Sequence, residues 1–246
     1  MDTPKLKLVL PNIRKLFLPD PGMEMFEIDL SSADLRVVVW ESGEVELKAM
    51  LAAGLNPYVE IAKEHYNDPT ITRDHPRYRT FKSFAHATNY LGTPGGIAKR
   101  LGLGVKEVER IQGWYLGRFP RIRQWQLDLK ARVDAERSVR NAWGNRWYIF
   151  DRIEGNIYNR AAAWVPQSTI GLLINRIWDR LRGELPGAQI LLQVHDSLVG
   201  QYAIAEAPHY RRAIVDLAES VAIPYPEPLR IPVGLKTSQV SWGECG

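Results

Sequence analysis

Two aspartates far apart in the sequence could together bind divalent cations. Asp29 lies near the end of an alternating segment, FEIDL (26–30), and Asp196 lies between two apolar runs in AQILLQVHDSLVGQY. If these segments are neighbouring strands of one sheet, both carboxylates reach the same point, and paired carboxylates are ligands for hard divalent cations. Two Mg²⁺ ions about 4 Å apart stabilise the attacking and leaving oxygens of a phosphoryl transfer. The spacing alone is also compatible with two surface aspartates at turns, which is the commoner case.

A helix predicted over residues 78–91 carries cationic and aromatic side chains on one face. Lys82, His86 and Tyr90 recur every four residues, and Arg79 lies a turn before Lys82. A lysine and an arginine on one face can bind a triphosphate, and a histidine and a tyrosine can pack on a base or sugar. The same pattern would arise if Tyr90 belonged to the core and the cations were solvated.

Hydrophobic patterning predicts the elements that would position these residues. Alternation of polar and apolar residues over 26–30 predicts a half-buried strand with Asp29 on its polar side, and the runs around His195 and Asp196 predict a hairpin. Between them the sequence predicts mainly helices, at about 57–66, 78–91, 95–103, 105–118, 120–138 and 156–183, and a closing helix and strand follow. We therefore predict an α+β fold, in which a sheet platform built from both ends of the chain carries an inserted helical subdomain.

Composition and charge narrow the class of protein. Hydrophobic residues make up 45% of the 246-residue chain, and the single cysteine, Cys245, excludes a disulfide framework and a cysteine-based zinc site. With no signal peptide and no apolar run near about 18 residues, we expect a soluble intracellular protein without membrane contacts.

The charge is unevenly distributed along the chain. Residues 73–152 have a net charge of +10, and the remaining residues have a net charge of −6. Arginines among aromatics, as in RNAWGNRW (140–147), fit either a phosphate-binding surface or a solvated face.

Three segments resemble, in order, the motifs of family-A DNA polymerases, the group of bacterial DNA polymerase I and many bacteriophage replicases. DLSSADLR (29–36) resembles the first palm motif, KSFAHATNYLG (82–92) the fingers motif, and QVHDS (193–197) the third motif. The resemblance covers nearly the whole chain. It implies template-directed DNA synthesis, with deoxynucleoside triphosphates and primer-template DNA as substrates.

The resemblance also implies a domain plan and a metal site. An antiparallel-sheet palm would comprise residues 1–55 and 151–246, and largely helical fingers would comprise residues 56–150. Asp29 and Asp196 match the metal-binding catalytic aspartates, and the backbone carbonyl of Leu30 matches a further ligand. The expected cofactor is two Mg²⁺ ions, for which Mn²⁺ can substitute.

Other positions match nucleotide and DNA contacts of the family. Lys82 matches the catalytic lysine that contacts the triphosphate, and Asp34 stands where an acidic residue crowds the sugar 2′ position. His86 takes the aromatic position against the sugar and base, and Tyr90 the position beside the templating base. The remaining matches are Tyr58 and Arg79 near the phosphates, Gln167 in the minor groove and His195 at the primer terminus.

The chain departs from the family pattern at several positions. Ser197 replaces an acidic residue, Leu91 replaces a glycine, and Tyr78 holds the place of an arginine, for which we expect Arg79 to substitute. The family places a helical thumb before the segment NIRKLFLPDPG (12–22), close to the start of this chain. We therefore expect either a separate polypeptide that supplies the thumb and upstream domains, as in a split phage polymerase, or a fragment or reduced enzyme without thumb and exonuclease.

Three other functions remain open at this stage. GIAKRLGLGVKEVERIQGWY (96–115) could form the helix-turn-helix of a non-catalytic DNA-binding regulator. A single-subunit RNA polymerase would share the aspartates, although the acidic Asp34 argues against a ribonucleotide substrate. Ser197 would also be compatible with an inactive polymerase scaffold subunit. Under any of the polymerase hypotheses, we expect the protein to lie in the cytoplasm of a bacterial or phage-infected cell.

Overall fold

The computed structural model describes residues 12–245, which form two compact units. The sheet unit comprises residues 12–31, Leu173–Ala222 and residues 230–245. The helical unit comprises Ser32–Leu172 and the short segment Ile223–Leu229. The chain thus contributes to the sheet unit from both ends and to the helical unit mainly from its middle, and the α+β prediction is confirmed.

The sheet unit is built on a four-stranded antiparallel sheet in the order β4–β5–β1–β6. The strands are β1 (Met23–Leu30), β4 (Gln189–Val194), β5 (Ser197–Ala203) and β6 (Val233–Ser238). Helix α9 (Ala207–Ser220) packs against β5 and β6. The predicted hairpin is present as β4 and β5, joined by the two residues His195 and Asp196.

The helical unit contains seven helices, a small hairpin and the start of an eighth helix in the described part of the chain. Its elements are α1 (Ala33–Ser42), α2 (Val45–Ala52), α3 (Pro57–Tyr66), α4 (Pro76–Asn89), α5 (Pro94–Leu101), α6 (Val105–Arg118), α7 (Pro120–Glu136), β2 (Ser138–Arg140), β3 (Arg146–Tyr148) and α8 (Ile157–Glu184), which ends in the sheet unit. Side chains of Asn56, His75 and Thr93 cap α3, α4 and α5. No helix within residues 12–245 is both long and apolar enough to cross a bilayer.

An aromatic core fixes the orientation of α4. Phe81 and Phe84 on this helix contact Tyr115 of α6, and the rings of Phe84 and Tyr115 meet edge to face at 6.2 Å. Tyr115 in turn packs on Phe119 at 5.2 Å. Because this side of α4 is buried, the helix turns Lys82 toward solvent.

The prediction that β1 is half-buried is wrong. Every residue from Glu24 to Ile28 is buried, and only the end of the strand at Asp29 is exposed. Glu24 lies on the face predicted to be apolar, where Tyr202 and Arg211 hydrogen-bond its carboxylate. The opposite face is covered by the short helices Ile13–Leu16 and Trp242–Glu244 at the two ends of the chain, which a local pattern cannot reveal.

We expect Arg211→Ala to lower the free energy of unfolding by about 2 kcal/mol at neutral pH, because it leaves a buried carboxylate without its charged partner. Glu24 is only 1% exposed, and both of its oxygens accept bonds from the Arg211 guanidinium. Burial pushes the pKa of Glu24 upward, but hydrogen bonds from Tyr202, Arg211 and Gln239 bring it below its usual value.

The same hydrogen bonds determine how the destabilisation by Arg211→Ala depends on pH. A carboxylate with a lowered pKa stabilises the fold above its unfolded-state pKa, near 4.5, and this stabilisation is lost as pH falls through the folded-state pKa. The difference between wild type and Arg211→Ala should therefore shrink in denaturant titrations below about pH 4. Arg212→Ala is the matched control, since Arg212 is exposed and its only salt bridge within residues 12–245 is with Asp216 on the same helix. Equal losses in the two variants would contradict the prediction.

Candidate functional site

The two candidate catalytic aspartates lie side by side at one end of the sheet. Asp29 is the register partner of Ser197, the residue that follows Asp196. The backbone N–H of Leu30 donates to the carbonyl of Asp196 at 3.3 Å, which ties the end of β1 to the hairpin turn. Asp29 is exposed and Asp196 is half-buried, so both carboxyl groups are accessible to a ligand.

The hairpin turn has a conformation that fixes Asp196. His195 adopts φ +55°, in the left-handed region that two-residue hairpin turns require. Ser197 is buried, and its hydroxyl donates to the carbonyl of Val194 at 2.8 Å, closing the turn. The serine that replaces the family's acidic residue therefore has a structural hydrogen bond within the hairpin.

The donor set at this end of the sheet fits Mg²⁺. Two carboxylates and a neighbouring backbone carbonyl are hard oxygen ligands, and Mg²⁺ is commonly bound through one or two carboxylates with water and substrate phosphates completing its shell. Within residues 12–245 no group of three or more His, Cys, Asp and Glu side chains is placed to hold a metal by itself. Metal binding at Asp29 and Asp196 would accordingly depend on the substrate for further ligands.

A second polar cluster lies within the helical unit, around Asp34 on α1. The hydroxyl of Tyr90 donates to Oδ1 of Asp34 at 2.5 Å, and Nε2 of His86 lies 3.6 Å from Oδ2. The His86 and Tyr90 rings are 4.5 Å apart. Three residues that the sequence assigned to nucleotide binding are thus in direct contact.

The pKa values in this cluster follow from burial and these contacts. Burial raises the pKa of Asp34, but the contact with His86, the hydrogen bond from Tyr90 and the charge of Lys82 bring it below its usual value. Burial and the neighbouring Asp34 carboxylate raise the pKa of Tyr90 far above its usual value. Asp34 is therefore an anion and Tyr90 a neutral hydrogen-bond donor at neutral pH.

A basic groove of about 660 Å³ runs along the exposed side of α4. Arg79 and Lys82 line it from α4, as their spacing predicted. Arg73, from the loop before α4, and Arg100, from α5, also line it, and the Arg100 guanidinium donates to the carbonyl of Ser83 at 2.7 Å. Sequence reasoning missed these two arginines, since neither shares a spacing with Lys82 and only the packing of α5 on α4 brings Arg100 to the groove.

Two tyrosines that the family resemblance places near the triphosphate are buried, unlike the exposed cations of the groove. Tyr58 is 3% exposed, and burial together with Asp34 raises its pKa well above the usual value. In this structure it offers no surface to a phosphate, so its expected role there stays a prediction. Tyr78, in the place of the family's arginine, is also buried, and its hydroxyl accepts a bond from Asn56 at 3.4 Å.

The segment after α4 keeps the backbone shape that a glycine would adopt. Leu91, which replaces the family's glycine, has φ +59°, a conformation that L-residues disfavour. Asn159 of α8 donates its amide to the carbonyls of Tyr90 and Leu91, which stabilises this turn.

The two residues expected to contact DNA lie in different units. Gln167 is exposed on α8 in the helical unit, and His195 is exposed in the hairpin turn of the sheet unit.

Comparison with known proteins gives the same family for nearly the whole chain. The sequence model of DNA polymerase family A matches residues 5–244. A thermostable DNA polymerase I of Thermus filiformis is 26% identical over 234 residues, covering 91% of this chain and 28% of that protein. The DNA polymerase of Mycobacterium phage D29 is 24% identical over 232 residues, covering 94% of this chain and 37% of its own length.

The fold also matches a solved polymerase domain. The POL domain of Pol1 from M. smegmatis, in complex with DNA primer-template and dNTP, superposes with a TM-score of 0.82 at 21% identity. The match covers 95% of this chain and 42% of that one, and the chain spans about 28% of the length of the Thermus relatives. The family match over residues 5–244, together with this fold, shows that the chain belongs to DNA polymerase family A.

Proposed function

We propose that this chain carries out template-directed DNA synthesis, joining a deoxynucleoside triphosphate to a primer 3′-hydroxyl. The observation that supports this most is the strand register, which brings Asp29 beside the turn that holds Asp196. The two residues come from opposite ends of the sequence, so their meeting is a property of the fold. The basic groove on α4 supplies the cations that a triphosphate needs.

Each unit supplies part of this chemistry. In the sheet unit, Asp29, Asp196 and the Leu30 carbonyl would hold two Mg²⁺ ions, which when bound lower the pKa of the primer hydroxyl and neutralise charge on the leaving pyrophosphate. In the helical unit, Lys82 and Arg79 bind and orient the triphosphate oxygens. We assign His195 to the primer terminus and Gln167 to the minor groove, and base pairing with the template selects the nucleotide.

Single-nucleotide primer extension tests this proposal. Wild-type protein with Mg²⁺ and low salt should add the deoxynucleotide complementary to the template, and EDTA should stop the reaction; Mn²⁺ should restore it. Low salt favours binding because contacts to phosphates weaken steeply as salt rises. A folded protein that adds no nucleotide, alone or together with the polypeptide that supplies the rest of the polymerase, would overturn the proposal.

We expect Asp34→Ala to reduce discrimination against ribonucleotides by about 10- to 100-fold. Asp34 is held in one position by Tyr90 and His86, so it can crowd a 2′-hydroxyl on the incoming sugar. The measurement is the ratio of kcat/KM for dNTP and rNTP. Tyr90→Phe, which keeps the ring and removes the hydrogen bond to Asp34, should have a smaller effect, and an unchanged ratio in Asp34→Ala would refute this role.

The partners we propose are primer-template DNA, dNTP and a polypeptide carrying the regions of the relatives that lie outside the match. The M. smegmatis domain is described in complex with primer-template and dNTP, which supports the first two. The third is a split-polymerase arrangement, testable by co-purification from the native source. We expect the reaction to take place inside a bacterial or phage-infected cell, because the relatives described above come from bacteria and a bacteriophage.

The regulator alternative has less support. Helices α5 and α6 do form a helix-turn-helix pair around Gly102. However, the exposed residues at the start of α6 include Glu107 and Glu109 beside Lys106 and Arg110, and this balanced charge does not favour a DNA groove.

A further inference from the structure

Two aromatic rings on the helical unit face solvent at the end of the small hairpin β2–β3. Phe150 is 90% exposed and Tyr148 is 54% exposed. Their ring centroids are 6.4 Å apart and their planes are within 27° of parallel. Burial of apolar surface cannot explain these positions, since Phe150 lies almost wholly in water and Tyr148 leaves about half of its surface there.

Two arginines on the same hairpin face each other. Arg140 and Arg146 are register partners, and like charges directly opposite in an antiparallel pair are destabilising. Neither forms a salt bridge with any residue between 12 and 245. The Nε of Arg146 is also inaccessible to water and has no hydrogen-bond partner in the described protein, while its guanidinium lies 5.4 Å from the centre of the Tyr148 ring.

The hairpin is held rigidly in place. The side-chain oxygen of Asn141 accepts bonds from the N–H groups of Trp143 and Asn145, and its amide donates to Ser168 of α8 at 3.1 Å. The indole N–H of Trp143 donates to the carbonyl of Thr169 at 2.9 Å. These bonds fix the turn of the hairpin to α8, so its backbone needs little ordering on binding.

The surrounding charge favours an anionic ligand. Residues 137–160 contain five arginines against two acidic residues, Asp151 and Glu154. One of these acids is already paired, because Arg160 contacts Asp151 at 3.2 Å. An anionic polymer with flat, apolar faces would satisfy both the unpaired arginines and the exposed rings.

We propose that the hairpin β2–β3, together with Phe150, is a binding site for single-stranded DNA. Bases stack on Tyr148 and Phe150, and Arg140 and Arg146 bind the backbone phosphates. A duplex does not fit this chemistry, since its bases have no free faces for stacking. The inference goes beyond the proposed function, because it adds a DNA contact at residues that have no part in the proposed reaction and that can be tested without dNTP or metal.

The test measures binding of a fluorescein-labelled oligothymidylate of about 20 nucleotides by anisotropy, in EDTA and at low salt. The double variant Tyr148→Ala/Phe150→Ala should bind about tenfold more weakly or worse, from the loss of two stacking contacts. Leu127→Ala, which removes another exposed apolar side chain of the helical unit, is the matched control and should bind like wild type. Equal affinities of the double variant and wild type would overturn the proposal.

A second variant tests the arginines independently of the rings. Arg140→Gln/Arg146→Gln should reduce the slope of log K against log salt by about 1.4, the value for two phosphate contacts on a single strand. Lys106→Gln/Arg110→Gln on α6 is the matched charge control. An unchanged slope in the hairpin variant, or equal changes in both variants, would show that these arginines bind no phosphate and would overturn their part of the proposal.

A crosslinking experiment tests where on the protein single-stranded DNA binds and whether this binding is independent of catalysis. An oligonucleotide that carries 5-iododeoxyuridine should crosslink to Tyr148 or Phe150, as mapped by mass spectrometry, and crosslinks confined to other segments would count against the site. The Asp29→Asn protein should crosslink as wild type does. Failure of primer extension with intact crosslinking would therefore defeat the proposed function alone, and the reverse result would defeat only this inference.

Discussion

We expect Asp29→Asn to reduce templated primer extension by about 10³-fold or more, while the protein folds as wild type does. The substitution keeps the shape of the side chain and removes one of the two charges available for divalent cations at the end of the sheet. Metal-assisted stabilisation of the reacting oxygens supplies several kcal/mol, and each 1.36 kcal/mol is tenfold in rate. Asp29 is exposed, so the unfolding temperature should not change measurably.

Two further variants make this result specific to the site. Asp196→Asn should be equally inactive, since it removes the second of the two charges that the fold holds beside the end of β1. Asp216→Asn removes an exposed aspartate of the same unit and should retain full activity. The measurement is single-turnover incorporation with saturating dNTP. Activity of Asp29→Asn within tenfold of wild type would rule out a metal-binding role for this carboxylate.

The elements that carry the aspartates were predictable because their patterns are local. Alternation marks β1, and two apolar runs around His195 and Asp196 mark a two-residue hairpin. That β1 and β5 are neighbours was a condition of the metal-site hypothesis and could not be derived from either segment alone. The register that places Asp29 opposite Ser197 now meets this condition.

Other features depended on distant parts of the chain and could not be predicted. Glu24 is buried because Arg211, far along the sequence, supplies the matching charge. Arg100 reaches the basic groove only because α5 packs on α4. Tyr58 has a ring that suits either a core or a ligand contact, so its residue type could not show that it is buried.

We expect Lys82→Ala to lower kcat/KM for the incoming dNTP by about 100-fold. Lys82 is exposed in the groove, and a charge-assisted bond to a phosphate oxygen is worth about 1.5–3 kcal/mol. Lys82→Arg should recover part of the loss, because it restores the charge but not the position of the ammonium group. Affinity for primer-template should stay within about twofold, which separates nucleotide binding from DNA binding.

The residues that line the groove also predict which cation contributes most to binding of the dNTP. Arg79→Ala should have a clear but smaller effect than Lys82→Ala, since Arg73 and Arg100 line the same groove and can partly compensate. Lys99→Ala is the matched control, because Lys99 is exposed on α5 outside the groove. If Lys82→Ala behaves like Lys99→Ala in steady-state kinetics, the groove does not bind the triphosphate. If Arg79→Ala has the larger effect, Arg79 rather than Lys82 provides the main contact, and its neighbours cannot replace it.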